Sequence, residues 1–572
     1  MKPRLESLVV LVNAEDTIVA TVRRMATEKV AFFGLAVVLD DDLRVMGVLN
    51  SGDVLRLLAS DADLSRPTKT VMIRDPIAVR PNLPPDEIIS DVFRQIRATR
   101  RLTRESVAHV LVVDERGRLT NVINFAELVA RHGRHPDNVA VYGLGYVGVT
   151  LAATLANRGY HVTGIDVAPE LVARLKQCDV HVHEPGLEDM VRAGMERETL
   201  TFATSSGDQH HGVSVIAVGT PVDGEGRADL SSVEAVIRTI GDRLKRGDVV
   251  MLRSTVPVGT TRRIVAPLLE QASGLVAGED FHLAFTPERT IEGKAMRELR
   301  ELPQIVGGLT PACVQRASAF WSPLTNSIVL MDNVEAAELV KLANNSFRDL
   351  SFGFSNALAM VADRYNVDAF RLVLAANEGY PRNPIPLPSP GVGGYCLTKD
   401  PFLYASVAGE MVHAGLVRAG REANRSAARY PVEALQRYLA RSSRSFEGLR
   451  ALVIGLAFKG LPETNDTRGS TAVDVARVLQ SQGARVCAWD AVIPRADIER
   501  LGFYVAEPLE AASSVDAILI LNNHPDNTPP GLIGRCRRPI FVFDGWSLLD
   551  VREVERHPNM TYATMGYMTP HQ

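Results

Sequence analysis

Residues 139–166 leave the chain little freedom. Val139-Ala140-Val141-Tyr142 is an apolar run, and Gly143-Leu144-Gly145-Tyr146-Val147-Gly148 follows at once. A helical pattern runs to Arg158, and a second apolar run over 161–165 stops at Asp166. In that order each glycine has a mechanical reason. The first permits a tight turn, the second lets backbone approach a pyrophosphate, and the third lets helix and strand pack closely. The helix start then offers unpaired N–H groups to phosphate oxygens. Asp166 lies 18 residues beyond Gly148, near the ~20 expected of an acid that binds ribose hydroxyls. A carboxylate there repels a 2′-phosphate, which favours NAD over NADP. The expected cofactor contacts are Gly143, Gly145, Tyr146, Val147, Gly148 and Asp166. The competing reading is an ordinary tight turn with a strand-end aspartate; the strand, loop, helix, strand order speaks against it.

Apolar runs at 213–218, 249–252 and 281–285 alternate with helical stretches, predicting a parallel, doubly wound sheet. Residues 333–363 read as one long helix, able to bridge two domains and to form a dimer seam. A second unit echoes the first: strand 450–454, turn Gly455-Leu456-Ala457-Phe458, helix 471–482, and strand 485–489 ending at Asp490. Strands at 515–521 and 540–543 extend it. It lacks the three-glycine pattern and reads as a second Rossmann-like domain adapted to another nucleotide.

The first ~133 residues hold two similar halves. Helix 17–25, strand 35–39, turn Asp40-Asp41-Asp42, strand 45–49 and a helix opening at Gly52-Asp53 make the first. Helix 85–96, strand 110–113, turn Asp114-Glu115-Arg116-Gly117, strand 119–123 and helix 125–130 make the second. The polar stretch 131–136 reads as a linker. This region resembles a tandem CBS (Bateman) module, a family of adenine-nucleotide sensors. Its strand–helix junction usually carries Ser/Thr and then Asp. Asn50-Ser51-Gly52-Asp53 matches, which makes Asp53 the candidate regulatory nucleotide contact. Asn124-Phe125-Ala126-Glu127 departs at both polar positions. A packing or dimerisation module is the alternative.

At 572 residues the chain is too long for one core; roughly 150 residues per domain predicts about four. A net charge of −4 argues against a general nucleic-acid binder. No apolar run approaches the ~18 residues of a membrane span, and the N-terminus lacks a secretory h-region. Five scattered cysteines show no C-x-x-C spacing, so a reducing cytoplasm is the expected compartment. His181 and His183 have no third ligand nearby in sequence, so no metal is expected. His210 and His211 read as exposed.

One thiol stands apart. Cys396 sits in Gly391-Val392-Gly393-Gly394-Tyr395-Cys396-Leu397-Thr398-Lys399-Asp400. A thiol among glycines, with a cation nearby, can capture an aldehyde. Paired with a nicotinamide site, it suggests oxidation of a primary alcohol through the aldehyde to the carboxylate. The thiol needs cationic help to ionise, and Lys341 or Lys399 is expected to give it.

These stretches resemble the UDP-glucose/GDP-mannose dehydrogenase family from about residue 138 onward. Glu184-Pro185-Gly186-Leu187, Gly219-Thr220-Pro221, Ser254-Thr255-Val256, Pro287-Glu288, Lys341-Leu342-Ala343-Asn344-Asn345 and Ala457-Phe458-Lys459 carry the likeness with the two glycine loops. The implied fold is α/β: two Rossmann-like doubly wound domains joined by a long central helix and a helical dimerisation region, behind the CBS module. The implied domains are 1–133 (CBS), 138–330 (NAD), 331–440 (central) and 446–572 (UDP-sugar). The implied catalytic residues are Cys396, Lys341, Asn345, Asp400, Glu288 and Thr255. Lys341 steadies alkoxide charge, and Asn345 adds a donor one turn later. Thr255 and Asp400 position water, while Glu288 is the acid–base carboxylate of thioester hydrolysis. Thr220, Pro221, Thr255 and Arg468 join the cofactor contacts. Glu288, Arg289, Lys341, Asn345, Gly393 and Lys459 are implied substrate contacts, as is Arg382 reaching a neighbouring subunit.

Two departures bear on the sugar. Pro287-Glu288-Arg289 and Gly394-Tyr395-Cys396 replace the Pro-Glu-Phe and Gly-Ser-Cys usual for UDP-glucose, and look more like dehydrogenases of UDP-N-acetylhexosamines. The expectation is UDP-ManNAc or UDP-GlcNAc, with UDP-glucose as alternative, in a homodimer or higher oligomer making precursors of surface polysaccharide. A two-electron hydroxyacid dehydrogenase and a non-catalytic nucleotide-sensing scaffold are the rivals from other classes.

Overall fold

In the computed structural model the chain divides into two compact units: Met1–Pro136 with Arg300–Asp332, and Asp137–Leu299 with Asn333–Gln572. The structure describes all residues except 1–4, 33, 59–62, 99–108, 126–127, 129–137, 326, 383, 409–411, 537, 558 and 570–572. The expected linker at 131–136, Ala126 and Glu127 lie outside the described residues.

The repeated halves of the first unit fold alike. Leu35–Leu39 pairs antiparallel with Val45–Asn50, and His109–Val113 with Leu119–Asn124. Both hairpins slip register at the same place, Val38/Leu39 and Val112/Val113. The turns share their chemistry: Arg44 N donates to Asp40 Oδ1, and Arg118 N to Asp114 Oδ1. Val10–Asn13 adds in parallel to the first hairpin, a strand absent from the sequence reading. Leu35, Val37, Leu39, Leu111, Leu119 and Val122 form one apolar core shared by the halves. The second half has its own core of Val79, Ile88, Ile89, Val92, Val110, Val112 and Phe125. Ala319, from helix Pro311–Trp321, and Leu330, from strand Ile328–Leu330, pack against that core.

Six parallel strands of the second unit run in the order Leu200–Ala203, His161–Ile165, Asn138–Tyr142, Val213–Ile216, Val249–Leu252, His282–Phe285. The three inner strands from 138, 213 and 249 are almost wholly buried, as parallel strands covered on both faces must be. The order reverses on either side of Asn138–Tyr142, which opens a ligand crevice at the carboxyl ends. At the amino ends the structure corrects the reading of the histidine pair. His211 is buried, and His210 bonds Asp248 Oδ2 at 2.9 Å.

The second sheet runs Tyr504–Val505, Arg485–Trp489, Arg450–Ile454, Ala517–Ile520, Ile540–Asp544, Met560–Thr564, Tyr567–Met568, parallel except for its last pair. Asp490 ends its strand as Asp166 does, but accepts from the N–H groups of Leu456, Ala457, Val492 and Ile493. A carboxylate has about four acceptor positions. Asp490 spends them on its own turn, leaving none for a ribose.

Helix Val334–Asp363 links the two sheets. Asn333 caps it, accepting from Ala336 N at 2.8 Å. Glu338, fully buried, docks it by accepting from Thr261 N and Thr261 Oγ1. Two turns beyond Lys341, Asp349 accepts from Arg421 Nη1 of helix Val412–Arg441 at 2.6 Å. Arg421 also holds the carbonyls of Leu397 and Val392, and Asn356 Oδ1 accepts from Ser389 N. These bonds fix the loop that carries Cys396. Among the described residues no helix is long and apolar enough to cross a membrane.

Candidate active site

The glycine loop leaves room for a diphosphate. A Cβ on Gly148 would lie 1.7 Å from Gly143 O, so only glycine lets helix Tyr146–Asn157 sit there. A Cβ on Gly145 would meet nothing within 4 Å. That open space faces a helix start whose cap makes no side-chain bond, so its N–H groups are available to phosphate. Asp166 orients the loop by accepting from Leu144 N at 2.8 Å. Its neighbour Val167 is 88% exposed. The donor set and the space fit NAD. Tyr146 does something not foreseen. Its hydroxyl donates to Glu184 Oε2 and accepts from Gly293 N at 3.0 Å, tying the loop to the segment after Glu288. Val147 is half-buried in the first helical turn, and Pro221 is exposed.

Cys396 occupies the second position of helix Tyr395–Ala408. Gly394, at φ +88°, makes the turn into it; a Cβ there would sit 2.8 Å from the Phe458 ring. Asp400, one turn on, is fully buried and accepts from Lys399 Nζ at 2.7 Å and from Asn345 Nδ2 at 2.5 Å. Lys399 also donates to Thr220 Oγ1, which donates to the Thr255 carbonyl. The cysteine helix, the linking helix and the carboxyl ends of the first sheet thus meet at one buried hydrogen-bonded cluster. Lys341 is buried one turn before Asn345.

The thiol departs from expectation in one respect. It is open to the cleft yet enclosed by protein, and burial pushes it above the ordinary thiol range. Lys341 and Lys399 pull it down, Asp400 and Glu292 push it up, and burial wins. A helix N-terminus contributes only ~0.3–1 kcal/mol toward the thiolate.

Glu288 is 8% exposed and its carboxylate is saturated. Oε1 accepts from Arg289 N and Thr290 N, each at 2.7 Å, and Oε2 accepts from Arg253 Nε at 3.1 Å and from Arg253 Nη2. Burial alone would raise this carboxyl; Arg253, the Thr290 N–H and Lys341 outweigh it and hold it below the usual range. Burial also draws the Arg289 guanidinium down.

Lys459 Nζ donates to Glu292 O at 2.6 Å, and Thr464 Oγ1 to Glu292 Oε2 at 3.1 Å. Burial and Asp466 raise the Glu292 carboxyl, while burial lowers Lys459 to about 8. Arg468 pairs with Asp466, and its guanidinium lies 5.3 Å from the Tyr395 ring centroid. The second sheet's loop is thereby fastened to the segment after Glu288, beside the thiol. Gly393 packs against Gly469 O, where a Cβ would come within 2.5 Å. Arg382 stands apart, exposed at the surface over the Tyr380 ring. Arg253 and Glu292 were not singled out in the sequence, and Glu184 entered only as part of the stretch Glu184-Pro185-Gly186-Leu187. In the first unit, Asn50 caps helix Ser51–Leu58 by accepting from Asp53 N at 2.9 Å, and Asp53 Oδ2 reaches back to accept from Asn50 N at 3.1 Å.

The chain matches the NAD binding, central and UDP binding domains of the UDP-glucose/GDP-mannose dehydrogenase family over residues 137–325, 335–426 and 452–551. CBS domains match 8–60 and 69–132. An NDP-N-acetyl-D-galactosaminuronic acid dehydrogenase of Ralstonia solanacearum is 34% identical, covering 68% of this chain and 90% of the relative. The solved UDP-D-ManNAc dehydrogenase of Pyrococcus horikoshii superposes with a TM-score of 0.68 at 30% identity, over 75% of this chain and 99% of that one. A UDP-glucose dehydrogenase of Pyrobaculum islandicum gives 0.67 at 30% identity, over 76% and 99%.

Proposed function

Since the chain belongs to the UDP-glucose/GDP-mannose dehydrogenase family, we propose that it oxidises the C6 alcohol of a UDP-sugar to the UDP-uronate, with NAD as acceptor. The observation that carries this reading is Cys396 one helical turn from Asp400, within the cluster of Lys399, Asn345 and Thr220. A two-electron hydroxyacid oxidation has no use for such a thiol. The intact cluster also argues against a non-catalytic scaffold.

NAD, which Gly143, Gly145, Gly148 and Asp166 would hold, would supply the hydride acceptor, one molecule for each of the two oxidations. The chain's own groups manage protons and carbon. Asp400, fixed by Asn345 and Lys399, receives the hydroxyl proton through water held with Thr255. The thiol's proton leaves by the same route as Sγ bonds to the aldehyde carbon. Lys341 steadies the oxyanion of that thiohemiacetal; one such donor is worth ~3 kcal/mol. After the second oxidation, water attacks the thioester, with Glu288 as the carboxylate of that step. Lys459 would serve the substrate and Arg468 the cofactor, each as a cation that suits phosphate oxygens.

The substrate we favour is an N-acetylated UDP-hexosamine. Arg289 and Tyr395 flank Glu288 and Cys396 where UDP-glucose enzymes usually carry Phe and Ser. Relatives named for N-acetylated sugars support this, and UDP-glucose is the alternative. The uronate would serve surface polysaccharide synthesis in the cytoplasm. The test is an NADH assay over UDP-ManNAc, UDP-GlcNAc and UDP-glucose with product mass. Two NADH per sugar and no uronate from Cys396→Ser are expected; one NADH per sugar, or a fully active serine variant, sinks the proposal.

A further inference from the structure

Arg253 has no assigned part in this chemistry, yet it is 2% exposed and spends its fork on Glu288. Its remaining arm donates to Thr286 O at 3.0 Å, so the guanidinium is braced against the end of the neighbouring strand, His282–Phe285. A charge is not buried without a partner that repays its lost hydration. Here both partners are buried, and the carboxylate's other oxygen already takes two backbone N–H bonds. Such a carboxylate is fixed in orientation and held ionised. Its charged neighbours are Arg253 behind it, Lys341 on the linking helix and Arg289 beside it in sequence.

We infer that Arg253 is the positioning residue of thioester hydrolysis: it keeps Glu288 ionised and aimed, and yielding of its fork frees Oε2 for a proton. The inference rests on the four-electron reading above. In the step concerned, the oxygen of water bonds to C6, the C6–Sγ bond breaks, and its electron pair leaves on sulfur. One water proton passes to Glu288, and the other ends on the sulfur. Losing Arg253 would strand this step alone. The first oxidation and thiol capture depend on Asp400, Lys341 and Cys396, none of which bonds to Arg253 among the described contacts.

The experiment compares the full chain with Arg253→Gln and Arg253→Lys on the best nucleotide sugar. For Arg253→Gln we expect a burst of NADH followed by turnover reduced on the order of 10²-fold. We also expect a sugar-acyl adduct on Cys396 by intact mass, and an acid limb of the kcat–pH profile moved to higher pH. Arg253→Lys keeps the charge but not the fork, and should recover part of each. A purely structural role would lower burst and steady state together, without adduct and with the limb unmoved; that result overturns the inference. If Arg253→Gln does not fold, Arg253→Lys decides: a smaller limb shift with partial adduct supports it, and wild-type behaviour overturns it. A wild-type protein forming no NADH from any nucleotide sugar overturns both readings; wild-type turnover with unaffected variants overturns this one alone.

Discussion

Lys459 shows how much a side chain's surroundings add to its identity. Burial draws its ammonium down to about 8, against an ordinary 10.5. An unfolded chain still binds that proton between the two values, so the free protein gains stability as pH rises through this window. If Lys459 binds the substrate, affinity should move the other way, because a neutral amine has lost the charge that attracts a diphosphate. KM for the UDP-sugar should climb in wild type from pH 8 to 9.5 and stay flat in Lys459→Arg, whose guanidinium keeps its charge; parallel profiles would refute this. Neither the shift nor the Lys459–Glu292 contact is legible in a linear sequence. Glu184 is similar: its oxygen meets Gly293 N from a residue 109 positions away. Sequence gives the charge of Arg253 but not the wall that buries it. For Cys396 it shows two lysines but not the desolvation that outweighs them. Gly148 was legible because its steric exclusion, by the carbonyl of Gly143, acts within a few residues.

At the scale of elements, periodicity served best where burial was complete. The strands at 138, 213, 249 and 450 are mostly apolar and almost wholly buried and were visible, whereas Leu200–Ala203 and Tyr504–Val505 are short and half exposed. The linking helix was foreseen over nearly its full length, and its cap at Asn333 is of the kind that starts helices. What its outer face does is another matter. Phe347 is 73% and Phe354 59% exposed on that helix, an arrangement that favours a second copy of the chain as cover. We expect Phe347→Asp with Phe354→Asp to give monomers in sedimentation velocity. KM should rise as well if Arg382 serves the neighbouring subunit. A double variant that stays dimeric would show that the seam lies elsewhere.

The whole molecule carries CBS domains ahead of the three domains of its dehydrogenase family. The repeated hairpins were legible because their turns reuse one chemistry, Asp40 with Arg44 and Asp114 with Arg118. Long-range assignment was not: nothing in the sequence places 300–332 with the first 136 residues. If the module reads an adenine nucleotide near Asp53, calorimetry on the full chain with AMP, ATP, NAD and UDP-sugars should find binding weakened by Asp53→Ala. The Asn50–Asp53 exchange makes Asp53→Asn the control that keeps the helix start. Absence of heat with every nucleotide would favour a packing role.

Ala319 and Leu330 carry a practical corollary for anyone cutting this gene. A truncation at the linker would remove the hydrophobic cover from a segment whose two ends run into the loop after Glu288 and the helix bearing Lys341. A stripped dehydrogenase would then be a poor baseline for regulation, since any lost activity could come from a raw, sticky wound. Point changes at Asp53 keep the graft intact and are the cleaner comparison.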